Sequence, residues 1–109
     1  MAYNEDLELR LEQLLADYED ITAKKMFGGL CFLYRNKMCV GIVKDTLMVR
    51  VISEKFAEES ARPHAREMDF TGRALKNFLF IEPEGFAHDD QIKHFIQLGI
   101  EHAEQAAAR

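Results

Sequence analysis

The sequence contains no tryptophan, and it has only two prolines and two cysteines in 109 residues. Two cysteines are too few for a disulfide framework, so Cys31 and Cys39, each inside an apolar run, are predicted to be reduced core residues. The first residues are polar and acidic, which is not typical of a secretory signal, and no apolar run approaches the ~20 residues that span a bilayer. We therefore expect a cytoplasmic protein that does not enter a membrane.

The composition, with 48% hydrophobic and 30% charged residues, is that of an ordinary globular chain. The length predicts one domain over residues 1–109. The net charge is −5, and the charge is unevenly distributed: residues 1–20 hold seven acids and one base, whereas residues 21–50 hold six bases and one acid. This segregation indicates either an acidic helix that attracts a basic sheet or a basic face for an anionic partner. The overall acidity argues against direct binding to nucleic acid.

Three helices are predicted from apolar residues that recur at steps of three and four. The first runs from about Glu5 to Asp17, with Asn4 as its N-cap. Ser53 is predicted to cap a short second helix that ends near Ala61, before Pro63. The third begins at His88 or Asp89, and its apolar face consists of Ile92, Phe95, Ile96, Gly99 and Ala103.

Apolar runs of strand length predict four successive strands and two later ones. They are Thr22–Phe27, Leu30–Tyr34, Met38–Val43 and Thr46–Ile52, then Arg66–Phe70 and Phe78–Ile81. Short polar connectors predict antiparallel neighbours, because a parallel pair needs a much longer crossover. The sequence therefore predicts a two-layer α+β fold in the order α-β-β-β-β-α-β-β-α. We expect an antiparallel meander sheet covered on one face by the N- and C-terminal helices.

No catalytic, metal or cofactor site is predicted. On the last helix His94 and His102 are eight residues apart, not the four that place two imidazoles on one zinc ion, and all four histidines are expected at the surface. Adjacent acids such as Glu58 and Glu59 point in different directions on a helix, so they form no acid–base pair. Gly28-Gly29 lacks the pattern of a phosphate loop. Cys31 and Cys39 face opposite sides of the sheet or lie diagonally, so no disulfide is implied.

Basic residues near one glycine turn are the candidates for binding an anion or a partner. Arg73 and Lys76 follow the Thr71-Gly72 turn and could hold an anion together with backbone N–H groups. Arg50 and Arg66 complete this basic group. The alternative is that Arg73 pairs with Asp69 or with an acid of the first helix and only fixes the loop.

Several strings resemble the TfoX N-terminal domain family, over nearly the whole chain. They are Lys24-Lys25-Met26-Phe27-Gly28-Gly29-Leu30 with Phe32, Met38-Cys39 with Gly41, Asp45 with Leu47-Met48-Val49-Arg50-Val51, Pro63-His64-Ala65-Arg66, and Met68-Asp69-Phe70-Thr71-Gly72-Arg73. Members of the family often have Gly where Asn77 stands and Trp where Phe95 stands. We expect the stand-alone form, without the family's C-terminal domain.

The resemblance implies a fold similar to that of secretion chaperones. It also implies a role related to that of the full-length relatives, which regulate natural competence together with a cyclic-AMP-responsive activator. It supplies no catalytic residues and no cofactor. We therefore expect a non-enzymatic regulatory domain that binds a transcription-related protein partner or associates with itself as a homodimer. The alternative is a small enzyme or a binder of a small anionic ligand, with a basic cleft around Arg50, Arg66 and Arg73.

Overall fold

A computed structural model describes residues 4–26, 28–70 and 73–107, with the side chains of these residues except 26, 67–70, 73–76 and 107. The helices are α1 (Glu5–Leu15), α2 (Ser53–Ser60) and α3 (Asp89–Ala107), with a short 3₁₀ helix at Pro83–Phe86. The strands are β1 (Ile21–Met26), β2 (Gly29–Tyr34), β3 (Lys37–Val43), β4 (Thr46–Arg50), β5 (Ala65–Phe70) and β6 (Arg73–Ile81). The predicted α+β fold and the predicted order of elements are confirmed.

The six strands form one antiparallel sheet in the order β1-β2-β3-β4-β6-β5. The first four strands are the predicted meander. Its central turn consists of Arg35 and Asn36, whose φ angles are 51° and 67°. Positive φ at both positions matches the right-handed twist of the flanking strands, and asparagine adopts this backbone conformation more readily than most residues do. The second hairpin joins this meander through β6, which pairs with β4.

The helices cover one face of the sheet. Helix α3 lies over β2, β3 and β4, and α1 packs beside α3. The buried side chains of α1, such as Leu7 and Leu11, form one cluster with Val40 and Ile42 of β3 and with the apolar side of α3. The predicted apolar face of α3 is buried, including Gly99 and Ala103. A Cβ atom on Gly99 would collide with the backbone carbonyl of Cys39, so this glycine allows α3 to approach β3 closely.

Strand β6 differs from the predicted short strand because it starts at Arg73 and has nine residues. It accommodates Asn77 with a φ of 69°, a backbone conformation that glycine adopts freely and asparagine tolerates. The side-chain amide nitrogen of Asn77 donates to the backbone carbonyl oxygen of Val51 at 2.8 Å. The backbone carbonyl oxygen of Asn77 accepts from the Val51 N–H at 2.9 Å. Asn77 therefore fixes the chain where β4 ends and leads into α2. The turn predicted at Thr71-Gly72 lies outside the described residues.

The predicted cap of α2 is wrong by one position. Ile52 is the N-cap residue, it makes no side-chain capping bond, and Ser53 is already helical. The cap of α1 is as predicted, because the Asn4 Oδ1 accepts from the backbone N–H of Leu7 at 3.0 Å. A side-chain capping bond therefore starts α1 but not α2, although both predicted helices are present.

One of the two expectations for the segregated charge was an acidic helix that attracts a basic sheet. The described residues form one such ion pair, between the segment that follows α1 and the turn between β2 and β3. Asp20 lies 3.4 Å from the Nε of Arg35. Within α1 itself, Arg10 pairs with Asp89 at the start of α3, at 3.0 Å. Among the described side chains, no acid of α1 pairs with a basic residue of a strand. The positive charge of the sheet is therefore not neutralised by α1.

Candidate functional site

Two of the four basic candidates lie on neighbouring parts of the sheet. Arg50 is the last residue of β4, Arg66 is the second residue of β5, and β6 runs between these strands. Arg73 and Lys76 belong to β6, but their side chains lie outside the described part of the structure. The structure therefore places Arg50 and Arg66 in one region and does not test the other two.

The register of the strands puts both arginines on the same face of the sheet. Arg50 is opposite Phe78, and Arg66 is opposite Phe80. Residues directly opposite each other share a face, and so do residues two apart on one strand. The Cζ atom of Arg50 lies 4.4 Å from the centroid of the Phe78 ring, and that of Arg66 lies 4.6 Å from the centroid of the Phe80 ring. We call these four residues the arginine face.

The arginine face belongs to a second apolar cluster, separate from the core under the helices. Its buried members are all strand residues: Cys31, Leu33, Met48, Phe78 and Phe80, with Met38 and Val43 packed against them. The buried helix residues belong to the other cluster. The guanidinium groups of Arg50 and Arg66 thus stack on an apolar layer that the described helices do not share. Such stacking of a cation on an aromatic ring contributes about 0.5–2 kcal/mol, more as water is excluded.

The two arginines differ in their polar partners. The Nε of Arg66 donates to the Oε1 of Glu82 at 2.7 Å, which neutralises its charge locally. The Nε of Arg50 is buried and has no hydrogen-bond acceptor. Burial lowers the pKa of Arg50, although a guanidinium remains charged at any physiological pH. Among the described side chains, therefore, Arg66 has an acidic partner and Arg50 has none.

A second polar group connects α2 with α3 and was not predicted. Glu59 is only 2% exposed, and its Oε1 accepts from the Nε of Arg62 at 2.7 Å and lies 3.0 Å from the Nε2 of His94. His94 was expected at the surface, and its side chain is 36% exposed, but its contact with Glu59 was not predicted. No local pattern signals this contact, because His94 is 35 residues from Glu59 in the sequence.

A cleft of about 530 Å³ adjoins this group, lined in part by His64, Asp90 and Phe95. Arg62 and His94 line this cleft, whereas the buried Glu59 that they contact is not among its lining residues. However, both described cysteines lie elsewhere, inside the two apolar clusters. Among the described residues, no three side chains of the His, Cys, Asp and Glu types are placed to hold a metal ion. The contacts of the buried Glu59 with the half-exposed Arg62 and His94 connect α2 with α3.

Both cysteines are free and buried, as predicted. Burial raises the pKa of Cys31 to about 11 and that of Cys39 to about 12. The Cys39 thiol donates to the carbonyl oxygen of Phe32 at 3.3 Å. Because the thiolate is the nucleophilic form, these values describe unreactive side chains. The two residues belong to clusters on opposite sides of the sheet, which is one of the two arrangements expected from the sequence.

The raised pKa values predict that the protein loses stability as the pH rises above about 9. Unfolded thiols, with an ordinary pKa of 9.0, release their protons there, whereas the folded thiols keep theirs until about pH 11 or 12. The unfolded state then binds fewer protons, so each thiol lowers the free energy of unfolding by about 1.4 kcal/mol per pH unit in this window. Urea unfolding at pH 8 and pH 10 measures the loss. A Cys31→Ala/Cys39→Ala variant should lose clearly less, and an equal loss would contradict the assignment to the thiols.

A model of the TfoX N-terminal domain family matches residues 13–103. The chain belongs to this family. The match includes all six strands and α2, together with most of α3, so the arginine face lies entirely within the TfoX N-terminal domain. A search of curated proteins gave no match.

The TfoX N-terminal domain family is not a known enzyme family. Its membership is consistent with a regulatory domain. In the part of the chain that the structure describes, no helix combines the length and the apolar character needed to cross a bilayer. In this member of the TfoX N-terminal domain family, the arginine face combines two guanidinium groups stacked on aromatic rings with a buried donor that has no acceptor.

Proposed function

We propose that this chain is a non-enzymatic regulatory domain that binds a protein partner involved in transcription, and that it does so through the arginine face. Family membership supports a regulatory role. The observation that carries the proposal is the stacking of Arg50 and Arg66 on Phe78 and Phe80 across three adjacent strands. Arginines and aromatic residues are enriched at the energetically important centres of protein interfaces.

The shape of this region favours a protein partner over a small ligand. Ligand sites are usually concave and enclose most of the ligand surface. Four clefts in the described part of the structure have neither Arg50 nor Arg66 in their lining. The arginine face is instead part of a sheet surface, which suits a partner that spreads its contacts over several strands.

Purification of partners from the native host tests this function. The tagged chain should recover a transcription-related protein, and Arg50→Glu should greatly reduce that recovery. Lys55→Glu makes the same change of charge on an exposed residue of α2 and serves as the matched control. Recovery of the chain with itself alone, or equal recovery with both variants, would contradict the proposal.

The competing function is binding of a small anion by Arg50, Arg66 and Arg73. Its supporting observation is that the buried Nε of Arg50 has no hydrogen-bond acceptor and that no described carboxylate pairs with Arg50. A ligand present at a hundred times its Kd stabilises a protein by about 2.7 kcal/mol. Thermal unfolding in the presence of nucleotides, phosphosugars and small carboxylates should show no such stabilisation. A shift that disappears in Arg50→Gln would favour the small-ligand function instead.

A further inference from the structure

The geometry points to an acidic segment of the partner protein as the group that the arginine face binds, with Arg50 as the residue that receives a partner carboxylate. This inference rests on the proposed function and specifies the chemistry of the partner. It also assigns unequal roles to Arg50 and Arg66, although both stack on phenylalanine rings at nearly equal distances.

Arg50 has the properties of a cation that lacks its partner. Its Nε is buried without a hydrogen-bond acceptor, and no described carboxylate forms an ion pair with it. A donor that has lost water without gaining an acceptor is less stable than the same donor in solution. An external carboxylate cannot reach the buried Nε, but it can bind the terminal nitrogens of the guanidinium and supply a counter-charge that compensates for this loss, because guanidinium and carboxylate match in charge and in planar geometry.

Arg66 shows what the satisfied arrangement looks like on the same face. Its guanidinium stacks on Phe80 while its Nε donates to Glu82 at 2.7 Å. Glu82 follows β6 directly and comes from the same chain. Arg66 therefore has an internal carboxylate, and Arg50 has the equivalent ring contact without a carboxylate among the described side chains. The external carboxylate that we infer would give Arg50 the partner that Glu82 gives Arg66.

The charges on this face indicate an acidic partner. Lys24 is opposite Cys31 in the register, which places it on the same face as Arg50 and Arg66. All charged residues among the described strand side chains of this face are therefore basic, while the chain as a whole carries a net charge of −5. Like charges on a partner would be repelled, and opposite charges would be attracted and oriented.

A protein segment fits these observations better than a nucleic acid. Binding to single strands depends on aromatic rings on which bases stack, but Phe78 is 9% exposed and Phe80 is 6% exposed, so their faces are not open to bases. Binding to a duplex depends on neutralising many phosphates, and three basic residues on an acidic chain provide few such contacts. A short run of carboxylates needs only one or two of these cations.

The test uses a fluorescently labelled octaglutamate peptide as the probe and the full chain as the binder, at low salt. Arg50→Gln should weaken binding about tenfold, because a charge-assisted hydrogen-bonded pair is lost. Arg66→Gln should weaken it less than about threefold, because Glu82 already occupies that guanidinium. Glu82→Gln should tighten binding about threefold, because it releases Arg66 for the probe. This gain is not expected if the arginines only stabilise the fold.

Arg50→Lys keeps the charge but not the planar fork, so it should recover only part of the lost affinity. It also keeps the test decisive if Arg50→Gln does not fold. Equal losses for Arg50→Gln and Arg66→Gln, or no change with Glu82→Gln, would overturn the inference. So would a DNA oligomer that binds more tightly than octaglutamate and depends in the same way on Arg50. Failure of these results while partner recovery still depends on Arg50 would refute the acidic segment and leave the proposed function standing.

Discussion

Replacing Arg62 and His94 together with leucine should lower the free energy of unfolding by about 3 kcal/mol. Both residues contact the Oε1 of Glu59, at 2.7 Å and 3.0 Å, and Glu59 is 2% exposed. Without them, a carboxylate stays buried and has lost these two hydrogen-bond partners and the adjacent charge of Arg62. Urea unfolding at neutral pH measures the loss, and an unchanged slope with denaturant would show that only stability has changed.

Adding Glu59→Leu to this double variant should restore most of the lost stability. A buried ionic group replaced as a whole by apolar side chains is often neutral, whereas an orphaned buried charge is costly. Lys55 and Glu101 provide the matched control, because they also connect α2 with α3, at 2.9 Å, but are exposed. Lys55→Ala should leave the unfolding midpoint unchanged. A triple variant no more stable than the double variant would refute the explanation by an orphaned carboxylate.

Replacing Gly99 with alanine should lower the free energy of unfolding by about 2–3 kcal/mol, although alanine is the better helix former. Gly99 lies in α3 where the helix crosses β3, and an added Cβ would collide with the carbonyl oxygen of Cys39. A backbone carbonyl inside a sheet cannot rotate away as a side chain can. The helix must therefore move off the sheet and loosen the packing of its neighbours, which we expect to lower the melting temperature by about 10 °C.

Gln97 supplies the control for helix propensity, because it is exposed in the same helix. Gln97→Gly should cost about 1 kcal/mol, the ordinary price of a glycine in a helix. If propensity alone governed both sites, Gly99→Ala would stabilise the protein by a similar amount. A more stable Gly99→Ala variant would therefore contradict the close approach of α3 to β3.

Local patterns predicted most of the fold. The first four strands alternate with short polar turns, and Arg35-Asn36 has the composition that a turn with two positive φ angles requires. The apolar period of α3 predicted its buried face correctly. Residues close together in the sequence determine these turns and this helix face, so a single sequence is enough to predict them. The start of β6 was wrong because residues 73–77 have no strand-like apolar run, and their pairing with β5 overrides that local preference.

The candidate site was only partly predictable. The sequence identified Arg50 and Arg66 as candidates from their charge, but it gave no reason to connect them with Phe78 and Phe80. That connection depends on the register between β4, β6 and β5, which pairs Arg50 with Phe78, 28 residues later, and Arg66 with Phe80, 14 residues later. The contact between Glu59 and His94 is likewise fixed by the packing of two helices. Properties set by long-range pairing cannot be read from local patterns in a single sequence.

The position of β6 beside β4 has a consequence for synthesis on the ribosome. Strands β1 to β4 can pair as soon as they emerge, but the outer edge of β4 stays open until Phe78–Ile81 have emerged as well. That edge contains Leu47, Met48 and Val49, each fully buried in the finished protein. An open apolar strand edge is a template for wrong pairing with other chains. The interval between the emergence of Arg50 and that of Phe78 from the ribosome is therefore when a nascent chain is most exposed to aggregation and most in need of a chaperone.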